Sequence, residues 1–319
     1  MPKIAIVDKM HQDGINLLKN NPKFECEVIE DLSKKNLISK LPVFDGITLR
    51  RGKIDAEILE KCKNLKVISR HGVGFDNVDI KFLKKNNIKL LVTATTTSVS
   101  PAEHIMFMII SIAKGAAFFD KAVRNGEFGS VMHMNHETFE LSNKKILIIG
   151  FGRIGKKLIK RCLGFDMKVF VYDPYVAENV IKSFGGIKIK DLNDGLKESD
   201  IISLSVPLTD ETRNMITFDK MKIMKRNAII INTSRGGIIN EKDLNEAINK
   251  KIIYGAGLDV FEKEPPDNDN PLLKNSRVVL SPHAATFTQE CLSKMSIETA
   301  QNLIDFFEGK LNKNSIVEI

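Results

Sequence analysis

The sequence lacks paired cysteines and any recognisable pattern of metal ligands. Its four cysteines lie far apart and form no C-x-x-C pair: Cys26, Cys62, Cys162 and Cys291. This spacing excludes a disulfide framework and a cysteine-based zinc site. His133 and His136 are three residues apart but have no third ligand near them, so we predict no bound metal. The chain also runs from Met1 straight into an apolar run without a signal-peptide pattern, and we expect a reducing, cytoplasmic location.

Long hydrophobic runs and clusters of basic residues are also missing. The most apolar stretch, residues 105–119, is interrupted by Ser111, Lys114 and Gly115 and is too short to cross a bilayer. The formal charge is +8, but the basic residues occur as scattered pairs, with neither a basic helix nor an aromatic platform beside them. We therefore expect neither a membrane nor a nucleic acid as partner.

Arginine is scarce in this chain. Only ten of the 48 basic residues are arginine, so lysine supplies the generic surface charge. The guanidinium group is planar and binds carboxylates and phosphates with two parallel hydrogen bonds. An arginine in this sequence is therefore a candidate anion ligand.

The residues that are present indicate an α/β protein. A chain of 319 residues with 43% hydrophobic and 28% charged residues is typical of a globular protein with two domains. Short β-branched runs alternate with helical stretches, which predicts parallel sheets covered by helices on both faces. The predicted strands are residues 4–7, 25–29, 46–49, 66–69, 89–92, 145–149, 168–172, 201–206, 228–232, 256–260 and 278–281.

Two long helices are predicted where the domains join. Residues 98–114 have a capping serine and a proline in the first turn, and residues 288–307 form an amphipathic stretch after the last strand. If both helices join the two domains, the first domain is discontinuous. It then contains residues 1–97 and 288–319, and the second domain contains residues 98–287.

The clearest local motif is the glycine-rich turn Gly150-Phe151-Gly152-Arg153-Ile154-Gly155. It follows a buried strand and opens a helix, and Asp173 ends the next strand 18 residues after Gly155. This arrangement predicts a dinucleotide site, where the glycines let the backbone approach the pyrophosphate and Asp173 accepts hydrogen bonds from the adenosine ribose. The Asp173 charge would repel a 2′-phosphate, so we predict NAD and not NADP.

Polar residues follow the later strands, at the sheet edge where open α/β sheets bind ligands. Arg235 stands between a strand end and two glycines and is a candidate clamp for a substrate carboxylate. His283 follows the last strand, and Glu264 lies in the preceding loop. A neighbouring carboxylate favours the imidazolium that donates a proton to a carbonyl. The predicted catalytic set is Arg235, Glu264 and His283.

These motifs resemble the D-isomer-specific 2-hydroxyacid dehydrogenase family, and its D-3-phosphoglycerate dehydrogenase branch in particular. The matching segments are 70–79, 102–104, 150–155, 233–237, 257–261, 264–266 and 281–283, together with Asp173. The resemblance covers essentially the whole chain. It implies two doubly wound parallel-sheet domains, a Rossmann NAD-binding domain (98–287) inserted into a flavodoxin-like substrate domain (1–97 and 288–319).

The resemblance also implies roles for the matching residues. His283 matches the proton donor, Glu264 the carboxylate that orients it, and Arg235 the residue that holds the substrate carboxylate. The backbone of Val73 and Gly74 would meet the same carboxylate. The implied cofactor contacts are Gly150, Gly152, Arg153, Ile154, Gly155, Asp173, Val206, Pro207, Thr233, Arg235, Asp259 at the nicotinamide end, His283 and Ala285.

The chain departs from the family pattern in two loops. Thr97 and Ala94 stand where the family usually has asparagine and proline, which leaves the contacts of that loop open. After His283, the residues Ala284, Ala285 and Thr286 replace a glycine-containing segment, and we expect a slightly altered backbone approach to the nicotinamide.

The resemblance implies hydride transfer between NAD and a D-2-hydroxy acid. Arg50 and Arg70 correspond in rough position to cationic residues around the substrate phosphate, so the preferred substrate is D-3-phosphoglycerate, oxidised to 3-phosphohydroxypyruvate in the first step of serine biosynthesis. The alternative is a glyoxylate or hydroxypyruvate reductase. A hypothesis of another class is an NAD(H)-sensing, corepressor-like binding protein. Family resemblance further implies a homodimer.

Overall fold

The computed structural model describes residues 1–133 and 137–318, so His136 lies outside the described residues. The chain divides into two compact units, residues 1–97 with 286–319 and residues 98–285. We name them the terminal unit and the central unit. The central unit ends at Ala285, two residues before the predicted end at residue 287, because the Ala285 backbone is hydrogen-bonded to Ser100 and Asp259 of the central unit.

Twelve strands form in the described residues. They are β1 (Lys3–Val7), β2 (Glu25–Ile29), β3 (Gly46–Leu49), β4 (Val67–Arg70), β5 (Lys89–Val92), β6 (Lys145–Ile149), β7 (Lys168–Tyr172), β8 (Ile187–Lys188), β9 (Ile201–Leu204), β10 (Ile229–Asn232), β11 (Gly255–Leu258) and β12 (Val278–Leu280).

Thirteen α-helices connect and cover these strands in the described residues. They are α1 (Gln12–Lys19), α2 (Lys34–Lys40), α3 (Ala56–Leu59), α4 (Ile80–Lys85), α5 (Val99–Ala113), α6 (Ala116–Arg124), α7 (Phe128–Val131), α8 (Arg153–Leu163), α9 (Glu178–Ser183), α10 (Leu192–Glu198), α11 (Phe218–Lys222), α12 (Glu241–Asn249) and α13 (Gln289–Phe307). Within the described chain no single helix is long and apolar enough to cross a membrane; α5 and α6 meet the length and composition requirement only as a pair bent by 62°.

The terminal unit contains a five-stranded parallel sheet in the order β2-β1-β3-β4-β5. Alternate residues of β1 point to opposite faces, as strand geometry requires. Ile4 and Ile6 pack in a cluster with Leu303 of α13, whereas Ala5 and Val7 belong to a second cluster on the other face. The order is that of flavodoxin-like folds.

The central unit contains a seven-stranded parallel sheet in the order β12-β11-β10-β9-β6-β7-β8. Ile146 and Ile148 of β6 pack with residues of α5 and α8, while Leu147 and Ile149 pack in a cluster with residues of α10 and α12. Burial of both faces explains the uninterrupted apolar run of this strand. The strand order reverses between β6 and β9, and at such a switch point the loops of an open sheet form a ligand crevice.

The predicted fold class, two doubly wound parallel sheets, is confirmed. Each of the eleven predicted strands forms, with ends shifted by at most two residues. The short edge strand β8 was not predicted, because a strand of two residues is too short to show a periodic pattern. Both long helices form, as α5 and α13.

Candidate active site

The glycine-rich turn has the backbone geometry that its sequence predicts. Gly150 has φ +93°, and a Cβ atom there would lie 2.5 Å from the Ser205 carbonyl oxygen, so only glycine fits. A Cβ at Gly155 would lie 2.6 Å from the Gly150 carbonyl oxygen, which shows how closely α8 approaches the turn. At Gly152 a Cβ would meet nothing within 4 Å. This open space lies next to the first amides of α8, at the end of a helix that attracts anions.

Asp173 organises the same turn. One of its carboxylate oxygens accepts a hydrogen bond from the Phe151 amide at 2.8 Å, and the other accepts one from the Tyr175 amide at 2.9 Å. Each oxygen keeps a second lone pair, so the carboxylate can still accept from a ribose hydroxyl. The residues present therefore fit a dinucleotide: Gly150, Gly152 and Gly155 shape the turn, α8 begins with Arg153 and Ile154, and Asp173 lies at the end of β7.

The remaining predicted cofactor contacts of this sheet lie at neighbouring strand ends. Val206 and Pro207 follow β9, and Thr233 follows β10. The Val206 side chain also approaches Gly150, where an added Cβ would lie 2.8 Å from Val206 Cγ1. Val206 therefore borders the glycine-rich turn, and Pro207 and Thr233 lie at the same carboxyl edge of the sheet.

The loop of Arg235 is held from both sides. The Asn232 side chain donates to the Arg235 carbonyl oxygen at 2.8 Å and accepts from the Ser234 amide at 3.0 Å. A Cβ at Gly236 would lie 1.8 Å from the Phe261 carbonyl oxygen, so the loop after β10 touches the loop after β11 backbone to backbone. This contact fixes Arg235 relative to the loop that carries Glu264.

Glu264 and His283 form a hydrogen-bonded pair. His283 Nδ1 donates to Glu264 Oε2 at 2.8 Å, and the Phe261 amide donates to Glu264 Oε1 at 3.1 Å. Partial burial raises the pKa of Glu264, but the bond from His283, the Phe261 amide and the charge of Arg235 outweigh burial and lower it. Glu264 therefore stays ionised, and His283 presents Nε2 as its reactive nitrogen.

The backbone of His283 is in the left-handed region, with φ +54°. A non-glycine residue in this region costs on the order of 1–3 kcal/mol and persists only when its surroundings hold it there. The His283 amide donates to the Asp259 carbonyl oxygen at 2.8 Å. The strained backbone turns the His283 side chain towards Glu264.

Asp259 was predicted to hold the nicotinamide end, and in the structure its carboxylate contacts the turn around His283. It is completely buried. It accepts hydrogen bonds from the Ser281 hydroxyl at 2.5 Å and from the amides of Ala284 and Ala285 at 2.7 and 2.9 Å. Burial raises the pKa of Asp259, yet these hydrogen bonds and His104 lower it overall. Ser281 carried no signal of this contact in the sequence beyond its place at a strand end.

The four predicted substrate residues outside the central unit lie together in the terminal unit. Arg70 donates to the carbonyl oxygens of Gly74 and Leu49 at 2.8 and 2.6 Å and also to that of Arg50. Arg70 therefore ties the end of β3 to the loop that follows β4. In that loop the Val73 side chain is 44% exposed and Gly74 is partly exposed.

Arg50 directly follows β3, and its guanidinium contacts a backbone carbonyl oxygen and an aromatic ring. It donates to the Lys9 carbonyl oxygen at 2.9 Å and lies 5.8 Å from the centre of the Phe287 ring. Sequence reasoning missed the adjacent ion pair, in which Arg51 binds the buried carboxylate of Asp8 at 2.7 and 3.1 Å. Burial raises the pKa of Asp8, and the bond and charge of Arg51 more than compensate, so the pKa is lowered.

His71 is buried beside these arginines. The residue is 6% exposed, and its Nε2 has no hydrogen-bond partner among the described residues. Burial, followed by the charges of Arg50 and Arg70, lowers the pKa of His71 from 6.5 to about 4. The imidazole is therefore neutral at physiological pH.

Among the described residues, no group of three or more His, Cys, Asp or Glu side chains is placed to hold a metal ion.

The geometry of the central unit supports acid–base chemistry next to a carboxylate clamp. Arg235, Glu264, His283 and Asp259 all follow β10, β11 and β12, which are neighbours in the sheet. Glu264 can stabilise the positive charge that His283 acquires when it takes a proton. The glycine-rich turn of the same sheet offers a dinucleotide site.

Comparison with known proteins gives matches along the whole chain. Residues 106–285 match the family model described as "D-isomer specific 2-hydroxyacid dehydrogenase, NAD binding domain". The chain is 36% identical over 317 residues to a D-3-phosphoglycerate dehydrogenase of Methanocaldococcus jannaschii; the match covers 99% of this chain and 59% of that relative. The chain thus spans about three fifths of the length of that protein.

Two further matches extend over nearly all of both chains. The sequence is 34% identical over 320 residues to a glyoxylate reductase of Korarchaeum cryptofilum, covering 99% of this chain and 96% of the relative. The structure resembles that of a D-lactate dehydrogenase from Aquifex aeolicus complexed with NAD and lactic acid, with a TM-score of 0.87, 29% identity and 98% coverage of both chains.

Proposed function

The chain belongs to the D-isomer specific 2-hydroxyacid dehydrogenase family, and from this premise we propose that it is an NAD-dependent dehydrogenase interconverting a D-2-hydroxy acid and its 2-oxo acid. The observation that carries the proposal is the hydrogen bond between His283 and Glu264, on a loop in backbone contact with the loop of Arg235. This pair supplies a group that can exchange a proton, which the interconversion of a hydroxyl and a carbonyl requires.

The proposed roles follow from the chemistry of each side chain. Arg235 binds the substrate carboxylate and holds C2 in place. His283 Nε2 takes the hydroxyl proton during oxidation and returns it to the carbonyl oxygen during reduction. Glu264 accepts from Nδ1 throughout and stabilises the imidazolium. NAD, when bound, supplies the nicotinamide C4 that exchanges a hydride with C2.

The two units take different parts in this proposal. The central unit is the NAD-binding domain, with the cofactor residues of the glycine-rich turn, Asp173, Val206, Pro207, Thr233 and Ala285. The terminal unit is the substrate domain, with the backbone of Val73 and Gly74 as a further carboxylate site. The predicted cytoplasmic location stays a prediction.

Two substrates compete within this reaction class. D-3-phosphoglycerate is favoured by the positive charge of Arg50 at the carboxyl edge of the terminal-unit sheet, beside Arg70. Glyoxylate or hydroxypyruvate is favoured because Arg70 donates to three backbone carbonyl oxygens, and the N–H groups in these bonds are not available to a phosphate. We propose 3-phosphoglycerate as the substrate, with Arg50 as the phosphate ligand and Arg70 as a brace for the loop around it.

Replacing Arg50 with alanine tests this choice. We expect wild type to have a higher kcat/KM for phosphohydroxypyruvate than for hydroxypyruvate, and Arg50→Ala to lower that ratio about tenfold, because one charge-assisted hydrogen bond to a phosphate is lost. Arg226→Ala, an arginine outside both proposed sites, is the matched control. A wild-type ratio near one contradicts the phosphate assignment and favours the reductase.

The same assay examines the proposal as a whole. If the protein reduces none of phosphohydroxypyruvate, hydroxypyruvate and glyoxylate with NADH, the result would contradict a dehydrogenase and favour the corepressor-like binding protein. NADH binding without turnover would distinguish the binding protein from the dehydrogenase.

We also propose that two copies of the chain associate through α6 and the segment around α7. Four apolar side chains of this region, which are 37 to 70% exposed, face solvent in the single chain: Phe118, Val123, Phe128 and Met132. Exposed apolar side chains that lie close together indicate an interaction surface, and these four are close together in the chain. We expect light scattering to give a dimer for wild type and a monomer for Phe128→Asp, with Phe165→Asp, on another exposed surface, as control. A monomeric wild type would contradict this assignment.

A further inference from the structure

Helix α5 contacts the turn of His283 through two polar side chains. The Ser100 hydroxyl donates to the Ala285 carbonyl oxygen at 2.6 Å. His104 Nε2 lies 2.8 Å from Ser281 Oγ and 3.5 Å from Asp259 Oδ1. Residues four apart share a helix face. The same face of α5 therefore contacts both ends of the segment 281–285, which carries His283.

The direction of these hydrogen bonds follows from the chemistry of the groups. The ionised carboxylate of Asp259 can only accept, so the Ser281 hydroxyl donates its one proton to Asp259. Ser281 Oγ must then accept from His104, which requires a proton on His104 Nε2. The network thereby places a proton on His104 Nε2. His104 donates to Ser281 and Ser281 donates to Asp259, so both hydrogen bonds run towards the carboxylate.

The series of hydrogen bonds that starts at His104 ends on the backbone around His283. Asp259 accepts the amides of Ala284 and Ala285, and the His283 amide donates to the Asp259 carbonyl oxygen. These bonds hold His283 at φ +54°, a conformation that relaxes when its support is removed. His104 is thus linked to His283 through the side chains of Ser281 and Asp259.

We propose that His104 is a positioning residue for proton transfer by His283, acting through Ser281 and Asp259. The proposal rests on the proposed function of the site. The His104 ring also packs on Phe107, with centroids 5.4 Å apart. A packing role needs only a ring of similar size, whereas a positioning role needs the Nε2–H donor.

Two substitutions of His104 separate these roles. His104→Phe keeps a ring and removes the donor, and we expect kcat for a 2-oxo acid to fall about tenfold while KM for NADH stays within about twofold, since misplacement of a reacting group by 1 Å costs up to a hundredfold. His104→Gln supplies an amide N–H at the position of Nε2, and we expect it to restore kcat to within about threefold of wild type. Phe107→Leu, which alters only the packing, should leave kcat unchanged.

A double variant and a measurement without turnover complete the test. Ser281→Ala breaks the same series of hydrogen bonds. The double variant His104→Phe/Ser281→Ala should therefore lose about as much kcat as either single variant, and the two losses should not multiply. Hydrogen exchange of the amides of residue 281 and residues 283–285 should be faster in His104→Phe and unchanged in His104→Gln. Multiplicative losses, unaltered exchange in His104→Phe, or failure of glutamine to restore kcat would each overturn the proposal. If the wild type reduces no 2-oxo acid, the proposed function fails, and the exchange measurement still decides the role of His104.

Discussion

Replacing His283 with alanine is expected to lower kcat for a 2-oxo acid about a thousandfold, because a positioned general acid contributes roughly 10²–10⁴-fold. The loss falls on the proton transfer alone. The hydrogen bond from Nδ1 to Glu264 disappears with the ring, but the dinucleotide turn lies at the other strand ends of the same sheet. The affinity for NADH, measured by fluorescence titration, should therefore change less than about twofold.

Two further variants test whether the loss of kcat is specific to His283. His133→Ala removes an exposed histidine and should keep the wild-type kcat. Glu264→Gln keeps a side chain of the same shape but removes the negative charge that stabilises the imidazolium, and we expect an intermediate loss of about tenfold. A His283→Ala enzyme that retains more than about a tenth of the wild-type kcat would remove His283 from the reaction.

Acidification is expected to destabilise the terminal unit through His71. The pKa of His71 is about 4 in the folded protein and 6.5 for an exposed histidine, so the unfolded chain binds more protons between these values. The free energy of unfolding is unaffected by His71 above pH 6.5 and falls as the pH decreases towards 4. Between pH 7 and pH 4.5 the loss amounts to about 2 kcal/mol.

The substitution His71→Leu isolates this effect. Leucine fills a similar volume and cannot titrate, and no hydrogen bond of Nε2 is lost, since that atom has no partner among the described residues. Urea unfolding at pH 7 and pH 4.5, with β1 and β4 followed by hydrogen exchange, should show a smaller pH dependence in His71→Leu than in wild type. The exposed His133→Gln should behave as wild type. Equal pH dependence in wild type and His71→Leu would contradict a neutral, buried imidazole.

The sequence allowed the sheets and the chemistry-bearing motifs to be predicted because each depends on local patterns. The family and the NAD cofactor, inferred from those motifs, are confirmed. Burial of β6 on both faces was visible as an unbroken apolar run, and Gly150 stands where the turn requires a positive φ. Such features are set by residues close together in the chain.

The contacts that could not be predicted join residues far apart in the chain. Nothing near Ser281 shows that its hydroxyl lies between His104 and Asp259, because the three residues come from α5 and from the ends of two different strands. The guanidinium of Arg70 was predicted to meet a phosphate, and only the fold shows that it contacts three carbonyl oxygens. Long-range pairing of this kind depends on strand order and loop shape, which carry no periodic signal.

The adjacency of β10, β11 and β12 has a consequence for redesign. Neighbouring strands are about 4.8 Å apart, so the segments that carry Arg235, Glu264 and His283 are spaced by the sheet itself. Substitutions inside the strands would disturb all three groups at once, because they share one hydrogen-bonded frame. Attempts to accommodate a longer or a shorter acid should therefore vary the loops after these strands, where length and side-chain reach can change while the frame stays the same.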